Sequence, residues 1–299
     1  MSSWWLIARK DFEDSVRSRM IWGVMGLFVV LMAIIGLASG TGDALEGGVL
    51  DIIVLFTNIG GQILVPLIAL MVGYMAIVGD RESGRLRVLF GLSHSRKDVF
   101  IGKLLSRLTV IFVATLVACL VAIIMALGMF DSVPVSEFAG FIGITLLLGM
   151  TFTGIGVGIS AMFDSRIKAI GGVFGTYVLL SLFWYPLVAG VHYVIEGELA
   201  GYEAPNWYFF LLRLSPLEAY IQTTSSLADQ FIWQAIGWQN TVENIAHENT
   251  VDDMLLLSNR ISSDVPFYLS DWFAPFTMVF WIGITAAIGY WRFSRADLG

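Results

Sequence analysis

With one cysteine, Cys119, in 299 residues, the chain can form no internal disulfide and no cysteine-based metal site. Charge is also scarce: 14% of the residues are charged and 57% are hydrophobic, which is far from the composition of a soluble domain. The three histidines, His94, His192 and His247, lack the H-E-x-x-H spacing of a zinc hydrolase and read as interfacial or loop residues. No G-x-x-x-x-G-K-[ST] phosphate cradle occurs, because Gly102-Lys103 runs on to Leu104 and Lys97 stands where the first glycine belongs. Ser160 is followed by Ala161 rather than the glycine of an intramembrane serine protease, and no paired acids fall inside an apolar run. These absences exclude an enzyme on every motif tested, so no catalytic residue and no metal ligand is assigned.

What the chain has is six apolar runs of about the length a bilayer-spanning helix needs: 20–39, 52–78, 108–129, 138–163, 169–195 and 272–291. The expectation is an all-α integral membrane protein, one transmembrane domain over residues 1–299. Three runs are long enough to tilt or kink. Pro66 and Pro186 lie inside the second and fifth, as kink sites rather than ends, provided neighbouring helices satisfy the carbonyls they free. No short apolar core ends at a small-residue cleavage site, so the first span is expected to be retained.

The basic residues orient the spans. Arg9, Lys10, Arg17 and Arg19 precede the first; Arg81, Arg85, Arg87, Arg96, Lys97, Lys103 and Arg107 follow the second; Arg166 and Lys168 follow the fourth; Arg292 and Arg295 follow the sixth. Fifteen of the 17 thus sort to one side, leaving Arg213 and Arg260 on the other. The positive-inside rule makes that side, with both termini, cytoplasmic. Sixteen acids share the opposite loops with those two bases, a surface that excludes nucleic acid and suits a saline exterior such as a halophile's. The spans carry no charge in their middles, which disfavours ion-coupled transport. Asn58 and Gln62, spaced i and i+4, are the most polar patch in the second span; interhelical hydrogen bonding is the stronger reading of the pair, and contact with the pathway is the second.

The loop at 79–107 is too basic to be buried. Its stretch from Asp80 to Phe90 predicts a short helix with Leu86, Leu89 and Phe90 on one face and Arg81 and Arg85 on the other, stopping at Gly91. Ser95-Arg96-Lys97-Asp98 fits a capping box that starts a second helix running into the third span. Such a segment either lies on lipid headgroups or docks a cytoplasmic partner. In the fourth and fifth spans, Gly154/Gly158 and Gly171/Gly175 each form G-x-x-x-G, and they predict close helix packing near the short loop Asp164-Ser165-Arg166. The exterior segment 196–271 is too long for a turn and too aromatic for a linker. It predicts short helices resting on the outer membrane surface, with its acidic part at 241–253 facing water.

Four stretches then resemble the permease subunits of ATP-binding cassette (ABC) transporters of the second exporter type, including permeases encoded beside nitrous-oxide-reductase maturation genes. They are residues 7–19, the loop at 79–107, Asp164-Ser165-Arg166 and the ending at 292–298. In the loop, the family's acid, glycine, leucine, turn and Gly-Lys fall on Glu82, Gly84, Leu86, Ser93 to Arg96 and Gly102-Lys103, with Ser93 where the family has proline. The resemblance implies an amphipathic N-terminal elbow helix and a coupling helix between spans 2 and 3. It implies that Glu82, Gly84, Arg85, Leu86, Arg87, Leu89, Phe90, Ser95 and Arg96 dock a separate ATPase, with Asp164, Ser165 and Arg166 as the second cytoplasmic loop. It further implies a second permease copy, ATP and magnesium bound on the partner, no cofactor on this chain, and a home in the plasma membrane among its lipids. Two alternatives stay open: ATP-driven motion passed to an exterior partner without solute transport, and an ATP-independent carrier or channel.

Overall fold

The structure, a computed structural model, describes residues 3–17, 22–23, 26–27, 29–30, 33–34, 48–91, 94–130, 132–236, 256–261 and 264–296. All their longer elements are helical: α1 (Ser3–Val16), α2 (Asp51–Glu82), α3 (Arg85–Gly91), α4 (Arg96–Met129), α5 (Val135–Met162), α6 (Arg166–Glu196), α7 (Asn206–Arg213), α8 (Pro216–Ala228) and α9 (Ala274–Arg295). Five of them, α2, α4, α5, α6 and α9, are long and apolar enough to cross a membrane. The predicted span at 20–39 lies largely outside the described residues, as does the acidic stretch 241–253.

α5 is the centre of the bundle because its glycines work in opposite directions. Residues two apart on a helix point to nearly opposite sides, and four apart to the same side. Gly156 therefore faces α2, where an added Cβ would sit 3.0 Å from the Leu70 carbonyl. Gly154 and Gly158 face α9, where a Cβ on Gly158 would come within 2.6 Å of the Thr285 carbonyl. The second motif behaves differently from the expectation: a Cβ on Gly171 or Gly175 would meet nothing within 4 Å, and both are exposed. α6 instead approaches the bundle through Gly172, against Phe163 and Ile159. Having small residues at the right spacing does not say which face of a helix the rest of the chain will cover.

Pro66 and Pro186 each sit just after a widened turn, at residues 57–64 and 179–183. Proline has no N–H for the carbonyl four residues back. For Pro66 that carbonyl is Gln62's, and the Tyr177 hydroxyl of α6 donates to it at 3.1 Å. α2 also loosens at residues 75–77, where Ser160 of α5 accepts from the backbone N–H groups of Ile77 and Val78, both at 3.0 Å.

α7 and α8 depart most from the surface helices expected of 196–271. α8 is sunk into the bundle against α2, α5 and α9, and buries Leu217, Tyr220 and Ile221 together with Glu218 and Gln222. Tyr220 is 0% exposed, and its hydroxyl pairs with Thr145 of α5 at 3.1 Å. Gly61 of α2 leaves the space its ring occupies. The end of α7 is held by two indoles: Trp184 donates to the Leu211 carbonyl at 3.0 Å and Trp281 to the Leu214 carbonyl at 2.7 Å. Carbonyls at a helix end need partners when buried, and tryptophans of the membrane-crossing helices α6 and α9 supply them from inside.

Candidate functional site

The end of the bundle that carries α1, α3 and the start of α4 gathers most residues singled out in the sequence. α1 places Ile7, Asp11 and Ser15 one turn apart on the face it turns to α4, and Gly102 lets the two backbones approach: a Cβ there would lie 2.8 Å from the Trp4 carbonyl. Facing Asp11 is Lys103, whose side chain is only 8% exposed and whose Nζ lies 2.6 Å from Asp11 Oδ1 and 2.6 Å from Asp80 Oδ2. Arg107 adds contacts to Asp11 at 3.3 Å and to the Ser15 hydroxyl at 3.0 Å. A buried ammonium is tolerable only with its charge balanced, and here the balance ties α1, the end of α2 and α4 into one body. Burial pushes the Asp11 carboxyl up, but Lys103 and Arg107 outweigh it and hold the pKa below its ordinary 3.8. Its stabilising contribution is therefore complete above about pH 4 and lost as pH falls through the lower folded value. Acid-induced release of α1, followed by protease cleavage near Arg9 and Lys10, is expected below pH 4 and should be displaced or flattened in Asp11→Asn; identical acid profiles would exclude Asp11 as the trigger.

The stretch from Asp80 to Phe90 is divided between the end of α2 and α3 rather than forming the single helix expected, because Gly84 breaks it with φ of 73°. An L-residue there would be strained by about 1–2 kcal/mol. The break swings α3 so that its apolar side faces the chain itself. Leu86 is 2% exposed in a core of Ile7, Ile77, Val99, Phe100 and Phe293, and Leu89 and Phe90 pack on that core. These three were expected to meet a partner; the structure turns Leu86 inward, while Leu89 and Phe90 pack on the same core and stay part-exposed. The outward side carries Arg85, Arg87 and Val88, the last 66% exposed.

Arg96, also expected at a docking surface, points at the far end of α9 and donates to the carbonyls of Phe293, Ser294 and Ala296 at 2.8–3.0 Å. A cation at a helix C-terminus is favoured by the helix dipole as well as by these bonds. The Ser95/Asp98 capping box is formed, and α4 starts there, ahead of the apolar run. Glu82 joins the two loops: its Oε1 accepts the Arg166 backbone N–H and its Oε2 meets Arg166 Nε, both at 2.7 Å. Ser165 caps α6, and Asp164 pairs with Lys168 at 2.8 Å on the surface. Between α1 and α3 a cleft of about 720 Å³ opens, with Leu6, Val88 and Leu89 among its apolar walls and Lys10, Asp14 and Arg85 among its charged ones.

At the opposite end the structure reveals a second polar cluster. Gln62 is bonded to the segment after α8, and Asn58 to Gln62 at 3.4 Å. With them stand Glu218, Gln222 and Gln234, which the sequence did not single out. Their one signal was a glutamate two residues after Pro216 in an otherwise apolar stretch.

Five helices long and apolar enough to cross a membrane, with the loops of the basic end tied to one another, define a multi-pass membrane protein. Residues 5–298 match the family model described as "ABC-2 family transporter protein", and the chain belongs to that family. It is 28% identical over 224 residues to the "Probable ABC transporter permease protein NosY" of Pseudomonas aeruginosa, covering 72% of this chain and 79% of that one. It is likewise 28% identical over 233 residues to the protein of the same description from Stutzerimonas stutzeri, covering 74% and 80%. The chain is an ABC transporter permease subunit of the cell membrane.

Proposed function

We infer that this permease is an exporter subunit that receives the stroke of a separate ATPase on the outer face of α3, with both termini and the basic end in the cytoplasm and a sixth span at 20–39. The observation that carries the reading is how α3 is mounted. It is seated on Leu86, flanked by the Asp11–Lys103–Asp80 ion pairs, and followed across the loop by the Glu82–Arg166 clasp. A push on such a helix is passed to α1, α2, α4 and α6 together, whereas a segment merely resting on lipid needs no internal bracing. Arg85, Arg87 and Val88 and the adjoining cleft are the surface left for the ATPase, which binds the ATP and magnesium. The twofold partner is a second permease copy. The bare Gly171 and Gly175 face of α6, with Phe174 exposed between them, offers the close packing a G-x-x-x-G needs. The segment 196–271 forms the exterior gate, through α8.

The test separates mounting from docking. Arg87→Glu with Val88→Asp should strip the co-expressed ATPase from the purified complex while the permease elutes and melts as the parent does. Leu86→Asp should instead destabilise the permease itself, by about 3 kcal/mol or more. Full retention and normal stimulation of the ATPase by the Arg87/Val88 variant would overturn the docking assignment.

A further inference from the structure

Of the four stretches that resemble the family's, the one that ends the chain begins inside the seat of α3. Phe293 is 0% exposed in the same core as Leu86, and its ring lies 6.4 Å from that of Phe90. The carbonyls of Phe293, Ser294 and Ala296 accept from Arg96, the first residue of α4. Close-packed side chains do not move singly, so a displacement of Leu86 also displaces Phe293, and Arg96 keeps the start of α4 and the end of α9 in step.

The other end of α9 holds the exterior segment. The Trp281 indole donates to the Leu214 carbonyl at 2.7 Å, at the joint between α7 and α8, and the buried Met278 shares a core with Leu217 and Tyr220 of α8. Between these ends α9 is one unbroken helix of 22 residues, about 33 Å long, with Pro275 confined to its first turn. α2 and α6 differ, since each has a widened turn inside the span where a displacement is absorbed as bending. α5 is also unbroken and also meets α8, but it is surrounded by α2, α4, α6, α8 and α9. α9 is covered on one side only, leaving Val279, Phe280, Ile284 and Ile288 exposed. Against α5 it sets glycine on glycine: a Cβ at Gly289 would lie 2.8 Å from the Gly158 Cα. No side chains interlock at that point, so the contact resists an axial shift less than ridges set in grooves would.

We propose that α9 is a transmission rod from the seat of α3 to α8, with Arg96 the positioning residue at its cytoplasmic end and Trp281 the one at its exterior end. The inference rests on the docking and gate readings above and deepens them. It is tested on the permease–ATPase complex in detergent, in a Cys119→Ala background, through the rate at which a maleimide labels Thr223→Cys on α8. Between the nucleotide-free complex and the complex trapped with ATP and vanadate, that rate should differ about threefold or more. Arg96→Leu and, separately, Trp281→Phe should abolish the difference while the ATPase stays bound and traps nucleotide as it does with the parent. Arg96→Lys, which keeps a donor for the carbonyls, should restore part of it. Tyr177→Phe removes a buried hydrogen bond between α6 and α2 and should leave the difference intact. Ser226→Cys serves if Thr223→Cys fails to fold. A difference that survives in Arg96→Leu or in Trp281→Phe would overturn the rod. Its loss in Tyr177→Phe would overturn the rod as well, because any loosening of the bundle would then suffice. No difference in the parent complex would overturn the gate reading and the rod with it, whereas the docking reading is decided separately, by ATPase retention in the Arg87/Val88 variant.

Discussion

Lys103→Ala is expected to be among the most damaging single changes in the protein, costing about 3–5 kcal/mol. The lysine ammonium lies 2.6 Å from carboxylates on both Asp11 and Asp80, at a site where it is itself nearly inaccessible. Among the described residues, its loss leaves Asp80 with a 3.8 Å contact to an exposed Arg85, and Asp11 with Arg107. The apparent melting temperature of the solubilised protein should fall by roughly 10 °C, with proteolysis first cutting between α1 and α4. Pairing Lys103→Met with Asp80→Leu leaves Asp11 opposite Arg107 and replaces an ion pair with apolar volume, so at least half of the loss should return. A fall of under about 1 kcal/mol in the single variant would show the pair to be solvent-screened, as surface ion pairs are.

The second large effect is expected where α8 enters the bundle. Tyr220→Ala should cost about 3–5 kcal/mol, since it empties a fully buried ring position and strands the Thr145 hydroxyl. Gly61→Ala should destabilise from the other side, by about 1–3 kcal/mol, because a Cβ at Gly61 overlaps the Tyr220 ring. Gly61→Ala combined with Tyr220→Leu, which shortens the ring that causes the overlap, should cost less than the sum of its two parts. The difference measures the contact directly. Strict additivity, or a Tyr220→Ala variant as stable as the parent, would mean that α8 lies outside the bundle as a surface helix.

Burial of α8 also alters how charge in this chain is read. By sequence the spans hold no charged group in their middles, which argues against charge-dependent binding inside the bundle. The inserted helix supplies one from outside the spans, since Glu218 arrives within a segment whose neighbours Leu217, Ala219 and Tyr220 are core residues. α7 brings Arg213, buried and 3.8 Å from Asp271. A hydropathy window of span length averages Glu218 and Arg213 into an ordinary loop, so their burial could not be read from it.

The sequence by itself determined the features set by local, one-dimensional physics. Apolar run length marks the membrane-crossing helices. The Ser95/Asp98 box starts α4 at Arg96, since cap and helix are contiguous. Both prolines fall within long helices, because a widened turn absorbs a missing N–H. The four family stretches could be read because they too are local strings. What only the tertiary structure decided is direction and company. Leu86 faces the core and Val88 the surface, although either could be apolar for a partner's sake. Gly158 meets α9 while Gly171 meets nothing in the chain. Arg96 caps a helix 197 residues away, and Lys103 finds one carboxylate 92 residues before it. The period of a helix fixes which residues share a face, but the energy that chooses the face comes from surfaces distant in sequence, and those exist only once the chain has folded.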